Sequence, residues 1–473
     1  MDVAIDARDK RIADLEATVE RLIAEVQSLR SELAKAHARI AELEEQLGQT
    51  SRNSSKPPSS DPPTVTRPPK PPSGRSRGAQ TGHKGHKRAL FPEDKVANVV
   101  DRRPSRCERC QRRLTGDDPA PRRHQVAELP PIEPVVSEYR LHSLQCTCGH
   151  VTKGTLPKGT PTGAFGPTVV ATITMLLGVY GLSRRDVVEL MGDVFHLPIS
   201  VGAVVGCQRL GAEALGPAYQ QIEREIPKAP VRYMDETGWK MGELYACLWV
   251  VVTPTVTLFR VHAERSRAAA MQILGKVQGL LCSDRYSVYD VWPTHLHQFC
   301  WAHLARLFVK FSERRDPEVA AMGRDLITEK EQMFAWWHRV RDGTLSRRTF
   351  QEYMRPLKVR VADLLKKGLA SSCDKTRRTC TRLLENTHAL WAFVHKPDLE
   401  PTNNIGERAL RRAVIQRKTS FGSQSDHGCR FFERVLSVHA TLRQRGRNVH
   451  DFVVESCRAR TAGLKPPSVL ARA

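Results

Sequence analysis

The chain has no apolar stretch long enough to cross a membrane. Its longest, TVVATITMLLGVYGL at 168–182, falls short of the roughly 20 residues a spanning helix needs. Nor does it open on a basic segment followed by an apolar one, so the expectation is an intracellular, cytoplasmic protein without a leader. Acidic residues are the other shortage: 51 Asp and Glu face 74 Lys and Arg, a net charge of +23 and a pI near 9.8. Such a field excludes little about the fold but favours a polyanion as partner, most simply nucleic acid, over an anionic membrane surface. In a reducing compartment the 12 cysteines read as thiols, four at ligand-like spacing and eight scattered singly as core residues.

The length of 473 residues suits several modules. Residues 8–48 hold an uninterrupted heptad, with Ile12, Val19, Val26, Leu33, Ile40 and Leu47 at a, and Leu15, Leu22, Leu29, Ala36 and Leu43 at d. Mostly β-branched a positions with leucine at d predict a parallel two-stranded coiled coil and hence a homodimer; one amphipathic helix packed on its own domain is the alternative. Residues 49–92 are rich in Pro, Ser, Gly and basic side chains and read as a disordered linker. Within it, GRSRGAQTGHKGHKR, with Lys84, Lys87 and Arg88, is either a solvated tether or a segment that orders along phosphates.

Residues 93–155 contain CERC (Cys107, Cys110) and CTC (Cys146, Cys148). Two close thiol pairs suit a closed tetrahedral Zn2+ site that folds a module without doing chemistry; reduced cysteines without metal are the alternative, and His124 and His150 are weaker candidate ligands. Gln111 and Arg112 follow the second cysteine, where a glycine is common in zinc knuckles. Residues 163–226 read as helical, with Ser183 and Ser200 as N-caps and a helix-turn-helix whose second helix starts at Ser200; its apolar run equally suits a plain helical subdomain.

From 230 to 312 the period changes to that of strands. VRYMD, LYACLWVVV and TVTLFRVH read as three strands, the last two a hairpin at Thr253 and Pro254. A helix near 266–276, the strand GLLCSD and the strand-to-helix segment HQFCWAHLARLF follow, predicting a multidomain α/β protein with a mixed sheet. Residues 313–400 read as a helical insertion, and 401–460 return to the α/β domain.

Asp235 and Asp284 each end an apolar strand, so neighbouring strands would bring both carboxylates together. Two-metal phosphoryl transfer needs oxygen ligands placed in that way, and Mg2+ (or Mn2+) binds through a few carboxylates while keeping water. Glu407, in EPTNNIGERALRR, is the candidate third carboxylate, although pairing with Arg411 one helical turn on would account for it too. In the functional reading Glu407 faces metal, whereas Arg408, Arg411, Arg412, Arg417 and Lys418 face phosphates, and Asn403 and Asn404 cap the helix or meet DNA.

The blocks MDETGWK, CSDRYSVYD, QFCWAHLARLF and EPTNNIGERALRRAVIQRKTSFGSQSDHG resemble the signatures of the insertion-sequence-66 family of bacterial transposases. The heptad arm, SRNSSKPPSSD, GHKGHKR, the cysteine module and GRNVHDF follow the same order, so the resemblance covers nearly the whole chain. It implies a ribonuclease H-like core with Asp235, Asp284 and Glu407 as catalytic triad and metal ligands. It also implies double-stranded DNA as partner, at the element's terminal repeats and at the target, in the nucleoid, and small accessory proteins of the same element. A DNA-binding regulator without catalysis and a nuclease without strand transfer are the rival functions.

Four further features are weaker. Glu236 and Asp290 adjoin the triad positions, but strand alternation turns Glu236 away from its neighbour. Cys300 and His303 suit packing better than metal. Trp336 and Trp337 suit an amphipathic core better than base stacking. Ser420, Ser423 and Ser425 form no nucleophile constellation with Asp426 or His427.

Overall fold

The structure is a computed structural model and describes residues 2–54, 89–420 and 422–471. The chain divides into two compact units, one of residues 1–65, 138–189 and 199–473, the other of residues 66–137 and 190–198. In the second, residues 89–137 carry little regular structure beyond a single 3-10 turn, Glu93–Lys95, and one bridge between Arg106 and Arg113.

The first unit begins with α1 (Asp2–Leu47), a single helix as the heptad demands. Its apolar positions stay open to solvent, among them Leu15, Leu22, Leu29 and Leu33 at 50–59% exposure. A short hairpin, β1 (Ser143–Gln145) and β2 (Val151–Lys153), precedes four helices: α2 (Pro167–Gly178), α3 (Arg184–Phe195), α4 (Val201–Ala214) and α5 (Gly216–Glu225). Ser183 and Asp186 exchange side chain-to-backbone bonds at the start of α3, and Ser200 accepts the Ala203 N–H at the start of α4.

Five strands then build a mixed sheet in the order β5-β4-β3-β6-β7. They are β3 (Val231–Met241), β4 (Leu244–Val252), β5 (Thr257–His262), β6 (Leu280–Ser283) and β7 (His297–Phe299), with α6 (Arg267–Leu274) between β5 and β6. Strand β4 runs antiparallel to both its neighbours, β3 and β5, whereas β6 pairs parallel with β3 and β7 parallel with β6. After α7 (Trp301–Ser312), four helices fill the chain before the sheet is rejoined: α8 (Pro317–Arg341), α9 (Arg347–Lys367), α10 (Asp374–Glu385) and α11 (Thr387–His395). Then α12 (Asn404–Ser420) packs on β3 and β4, α13 (Asp426–Gln444) on β5, and α14 (Val449–Ala462) on α2 and α4.

The contact of α13 with β5 explains how the open edge of the sheet is closed. Alternate residues of β5, Thr257, Phe259 and Val261, donate their outward N–H groups to Thr441 Oγ1 (3.0 Å), Ser437 Oγ (2.8 Å) and Glu433 Oε1 (2.7 Å). Two residues of strand advance about 6.7 Å and four residues of helix about 6 Å, so the two spacings match. The edge is thereby blunted by polar side chains of a covering helix.

One sequence expectation changes. Asp235 does not end its strand: β3 continues to Met241, with Glu236 opposite Trp249 and Lys240 opposite Tyr245. The polar ETGWK segment stays extended because β4 pairs with it throughout, and β6, the partner on the other side, stops at Ser283.

Candidate functional site

The parallel register Val231 to Leu280 and Tyr233 to Cys282, continued by two residues, sets Asp235 alongside Asp284 just where β6 ends. The Asp235 Oδ1 accepts the Glu236 N–H (2.9 Å), and the Asp284 Oδ1 accepts the Tyr286 N–H (2.9 Å). Glu407 lies in the first turn of α12, which is anchored from three directions. Asn403, fully buried, donates Nδ2 to the Met234 carbonyl (2.8 Å) and its backbone N–H to Cys300 Sγ (3.1 Å). Trp301 N–H donates to the Pro401 carbonyl (2.9 Å), and the Glu400 N–H to Tyr233 Oη (3.0 Å).

Burial pushes Asp235 well above the usual carboxylate range, and repulsion from Glu236, Asp284 and Glu407 adds to it. Burial raises Asp284 as well, against the Tyr286 N–H and the charges of Arg265, Arg285 and Arg382. Glu407 forms no ion pair with Arg408 or Arg411 among the described residues; its Oε1 lies 3.8 Å from His303 Nδ1. Both atoms are buried without a hydrogen-bond partner. Carboxylates gathered at the cost of desolvation and mutual repulsion, with a buried oxygen left unpaired, are a donor set that suits a hard divalent cation.

Cys300 Sγ joins His303 and Glu407 in a group whose ligand atoms lie within 4.8 Å of one another. The buried thiol, raised to about 11 by desolvation, accepts the Asn403 N–H, so its part here is to hold the start of α12. Burial lowers His303 to about 4 despite the attraction of Glu407.

Glu236 turns to the other face of β3. There Tyr289 Oη and the Arg265 guanidinium hydrogen-bond it, and Arg265 stacks over the Tyr286 ring at 4.2 Å. Burial and Asp284 raise Glu236, and those two donors hold it down. Arg265 and Tyr289 carried no signal in the sequence, because their role depends on the fold bringing them to β3. Asp290 pairs with Arg382 of α10 (2.6 Å), an ion pair tying the sheet domain to the inserted helices.

Among the proposed phosphate contacts, Arg408, Arg411 and Lys418 are exposed. Arg412 donates to the Val179 carbonyl and Arg417 to the Gly238 carbonyl, both at 2.9 Å, so part of each guanidinium is committed to the fold. Lys84, Lys87 and Arg88 lie outside the described residues. Asn403 is fully enclosed and therefore not a DNA contact, whereas Asn404 is exposed.

Each cysteine pair sits on its own tight turn. Cys107 N–H donates to the Arg112 carbonyl (2.9 Å) and Cys146 N–H to that of His150 (2.8 Å). The residue after each pair is left-handed, Gln111 at φ 59° and Gly149 at φ 86°; Gln111 thus adopts the conformation a glycine favours. Backbone N–H groups of Cys110 and Arg109 lower the Cys107 thiol, and that of Cys148 lowers Cys146.

Along α4, Val204 and Cys207 are buried, Gln208 accepts from Arg184, and Val201 and Val205 are exposed. Trp337 is buried between Phe350 and Phe393 and is not free to stack on a base, whereas the half-buried Trp336 lies against Tyr353. Ser420 bonds the Gln416 carbonyl, Ser423 accepts from Trp239 Nε1, and Ser425 caps α13, so all three serines serve the fold.

A family model described as "Transposase IS66 family" matches residues 162–430. A second, a family of unknown function (DUF6444), matches residues 5–89. The protein y4qI of Sinorhizobium fredii, described as uncharacterized, is 25% identical over 218 residues, which are 43% of this chain and 40% of that protein. The match thus spans about two fifths of that relative's length. No helix among the described residues is long and apolar enough to cross a membrane.

Proposed function

Because this chain belongs to the IS66 family of transposases, we propose that it cuts DNA at the ends of an insertion sequence and joins them to target DNA by metal-dependent phosphoryl transfer at Asp235, Asp284 and Glu407. The observation that carries this reading is the convergence of three carboxylates, from the central strand β3, the end of its parallel neighbour β6 and the first turn of α12. Three antiparallel strands followed by two parallel ones support a ribonuclease H-like core. Asp235, Asp284 and Glu407 would hold Mg2+ (or Mn2+), which when bound would supply positive charge for an attacking and a leaving oxygen.

The chain's own part is positioning. Asn403 fixes the Glu407 turn on the strand that carries Asp235. Arg265 and Tyr289 keep Glu236 on the far face, out of competition for the same cation. The exposed Arg408, Arg411 and Lys418 are on the same helix as Glu407 and give DNA phosphates a cationic face there. The open apolar stripe of α1 pairs with that of a second copy, bringing two protomers and hence two element ends together. Cys107, Cys110, Cys146 and Cys148 are thiols for Zn2+, each pair on a turn with backbone N–H groups aimed at sulfur; zinc content of the purified protein checks it.

The experiment is a transposition assay in cells with a marked element carrying its own ends and the element's small accessory proteins. Wild type is expected to give insertions and Asp235→Asn none, at equal protein level and equal binding to the ends. Equal insertion frequencies would remove Asp235 from the site.

A further inference from the structure

Next to the carboxylates, α7 and α10 border a cleft of about 270 Å3 lined by Arg285, Arg306, Lys310, Arg314 and Lys375 together with Asn53 and Ser54, with no acidic side chain among the described residues of its wall. Arg285 directly follows Asp284, and His303, which faces Glu407, forms part of the same wall. Five cations this close repel one another, and burial together with Arg382 lowers Arg285 to about 10. The Nε atoms of Arg285 and Arg314 are buried and lack a hydrogen-bond partner. The cleft is therefore short of anions.

One anion is supplied by the chain itself. Glu45, near the end of α1, is held by Lys310 (2.5 Å), Lys375 (2.9 Å) and Arg314 (3.1 Å), and Glu44 beside it by Arg315 (2.7 Å). Burial alone would raise the Glu45 carboxyl, but bonds from Lys310 and Lys375 and the charge of Arg314 hold it at about 2. A carboxylate gripped by three cations has the charge and bonding pattern of a phosphodiester oxygen pair.

We propose that this cleft seats the sugar-phosphate backbone of DNA beside the carboxylate site, and that Glu45, in the adjoining pocket, holds three of its cations in the DNA-free protein as an internal stand-in for a phosphate. DNA entry then displaces the end of α1. The ligand class rests on the transposase reading; the cleft and the hold of its cations on Glu45 rest on the geometry. A carboxylate of one protomer satisfies three of the five cations, whereas successive phosphates of a strand reach Arg285 and Arg306 as well.

The test uses the full-length protein and a fluorescently labelled 30-base-pair duplex, with anisotropy titrations over a range of salt concentrations. Glu44→Gln with Glu45→Gln is expected to tighten binding roughly 3- to 10-fold, by removing the competitor. Arg306→Gln with Lys375→Gln is expected to weaken it about 10-fold and to reduce the salt slope by about two. Lys375→Gln alone, at a side chain 57% exposed, gives a smaller change of the same sign without disturbing the core. Unchanged affinity and slope in the Arg306 and Lys375 variants would overturn the phosphate seat. A glutamine pair that binds no tighter and melts lower would make Glu45 a structural anchor and overturn the stand-in. Wild-type protein that binds no duplex at any salt would instead defeat the transposase reading itself.

Discussion

The Asn403 side chain donates to the carbonyl of Met234, the residue before Asp235, at 2.8 Å, and so one buried amide ties the helix of Glu407 to the strand of Asp235. Asn403→Leu keeps the volume but leaves the Met234 carbonyl unpaired and frees the first turn of α12. Since misplacement by about 1 Å can cost 100-fold in rate, DNA cleavage by this variant is expected to fall by about that factor while duplex affinity holds. A rate within a few-fold of wild type would show that Glu407 is placed by other contacts.

Asp235→Asn is expected to act in opposite senses on stability and activity. Desolvation and three neighbouring carboxylates disfavour the charged form of Asp235, so neutralising it raises the melting temperature of metal-free protein. Added Mg2+ then stabilises wild type but not the variant. Calorimetry with and without Mg2+ measures both effects, and equal Mg2+ shifts in the two proteins would argue against Asp235 as a ligand.

The ladder from β5 to α13 gives a stability prediction far from the chemistry. Ser437→Ala removes the acceptor of the buried Phe259 N–H, a loss of about 1–3 kcal/mol, readable as a lower denaturant midpoint with an unchanged slope. DNA affinity is expected to stay the same.

Acid should destabilise the fold before carboxylates titrate. Burial lowers His297 to about 3, with Arg382 adding to it, and burial with Arg412 and Arg443 lowers His439 to about 4. Each is neutral in the folded chain and takes a proton on unfolding near the ordinary value of about 6.5. Their contribution is complete above 6.5 and is lost as pH falls toward 4 and 3, with a penalty of roughly 2 kcal/mol for His297 alone at pH 5. His297→Gln should flatten the fall in melting temperature between pH 7 and 5; an unaltered profile would assign the pH dependence elsewhere.

The α1 stripe predicts association. Leu22 and Leu29, both d positions, are 50% and 57% exposed. Sedimentation should give a dimer for wild type and a monomer for Leu22→Asp with Leu29→Asp. A monomeric wild type would return the heptad to a helix that stays single.

The strands and α7 were legible from period and punctuation: LYACLWVVV and LLCS are apolar runs of strand length, and HQF leads directly into an amphipathic helix. Within the candidate site, Asp235, Asp284 and Glu407 were legible as types, acids set in apolar or basic surroundings. Their partners were not. Arg265, Tyr289 and Arg285 are residues of ordinary local context whose meaning depends on which strand they meet.

The amino-acid sequence by itself determined the local elements, the heptad period of α1, the excess of positive charge and the identity of the three carboxylates, because each of these follows from spacing along one chain. Tertiary structure alone decided that Asp235 stands mid-strand where β6 ends, that Glu407 turns to His303 rather than to Arg411, and that Glu45 settles among Lys310, Arg314 and Lys375. Those outcomes depend on strand register and on where helices cross, and residues more than 100 positions apart meet only when the whole sheet and its covering helices have closed.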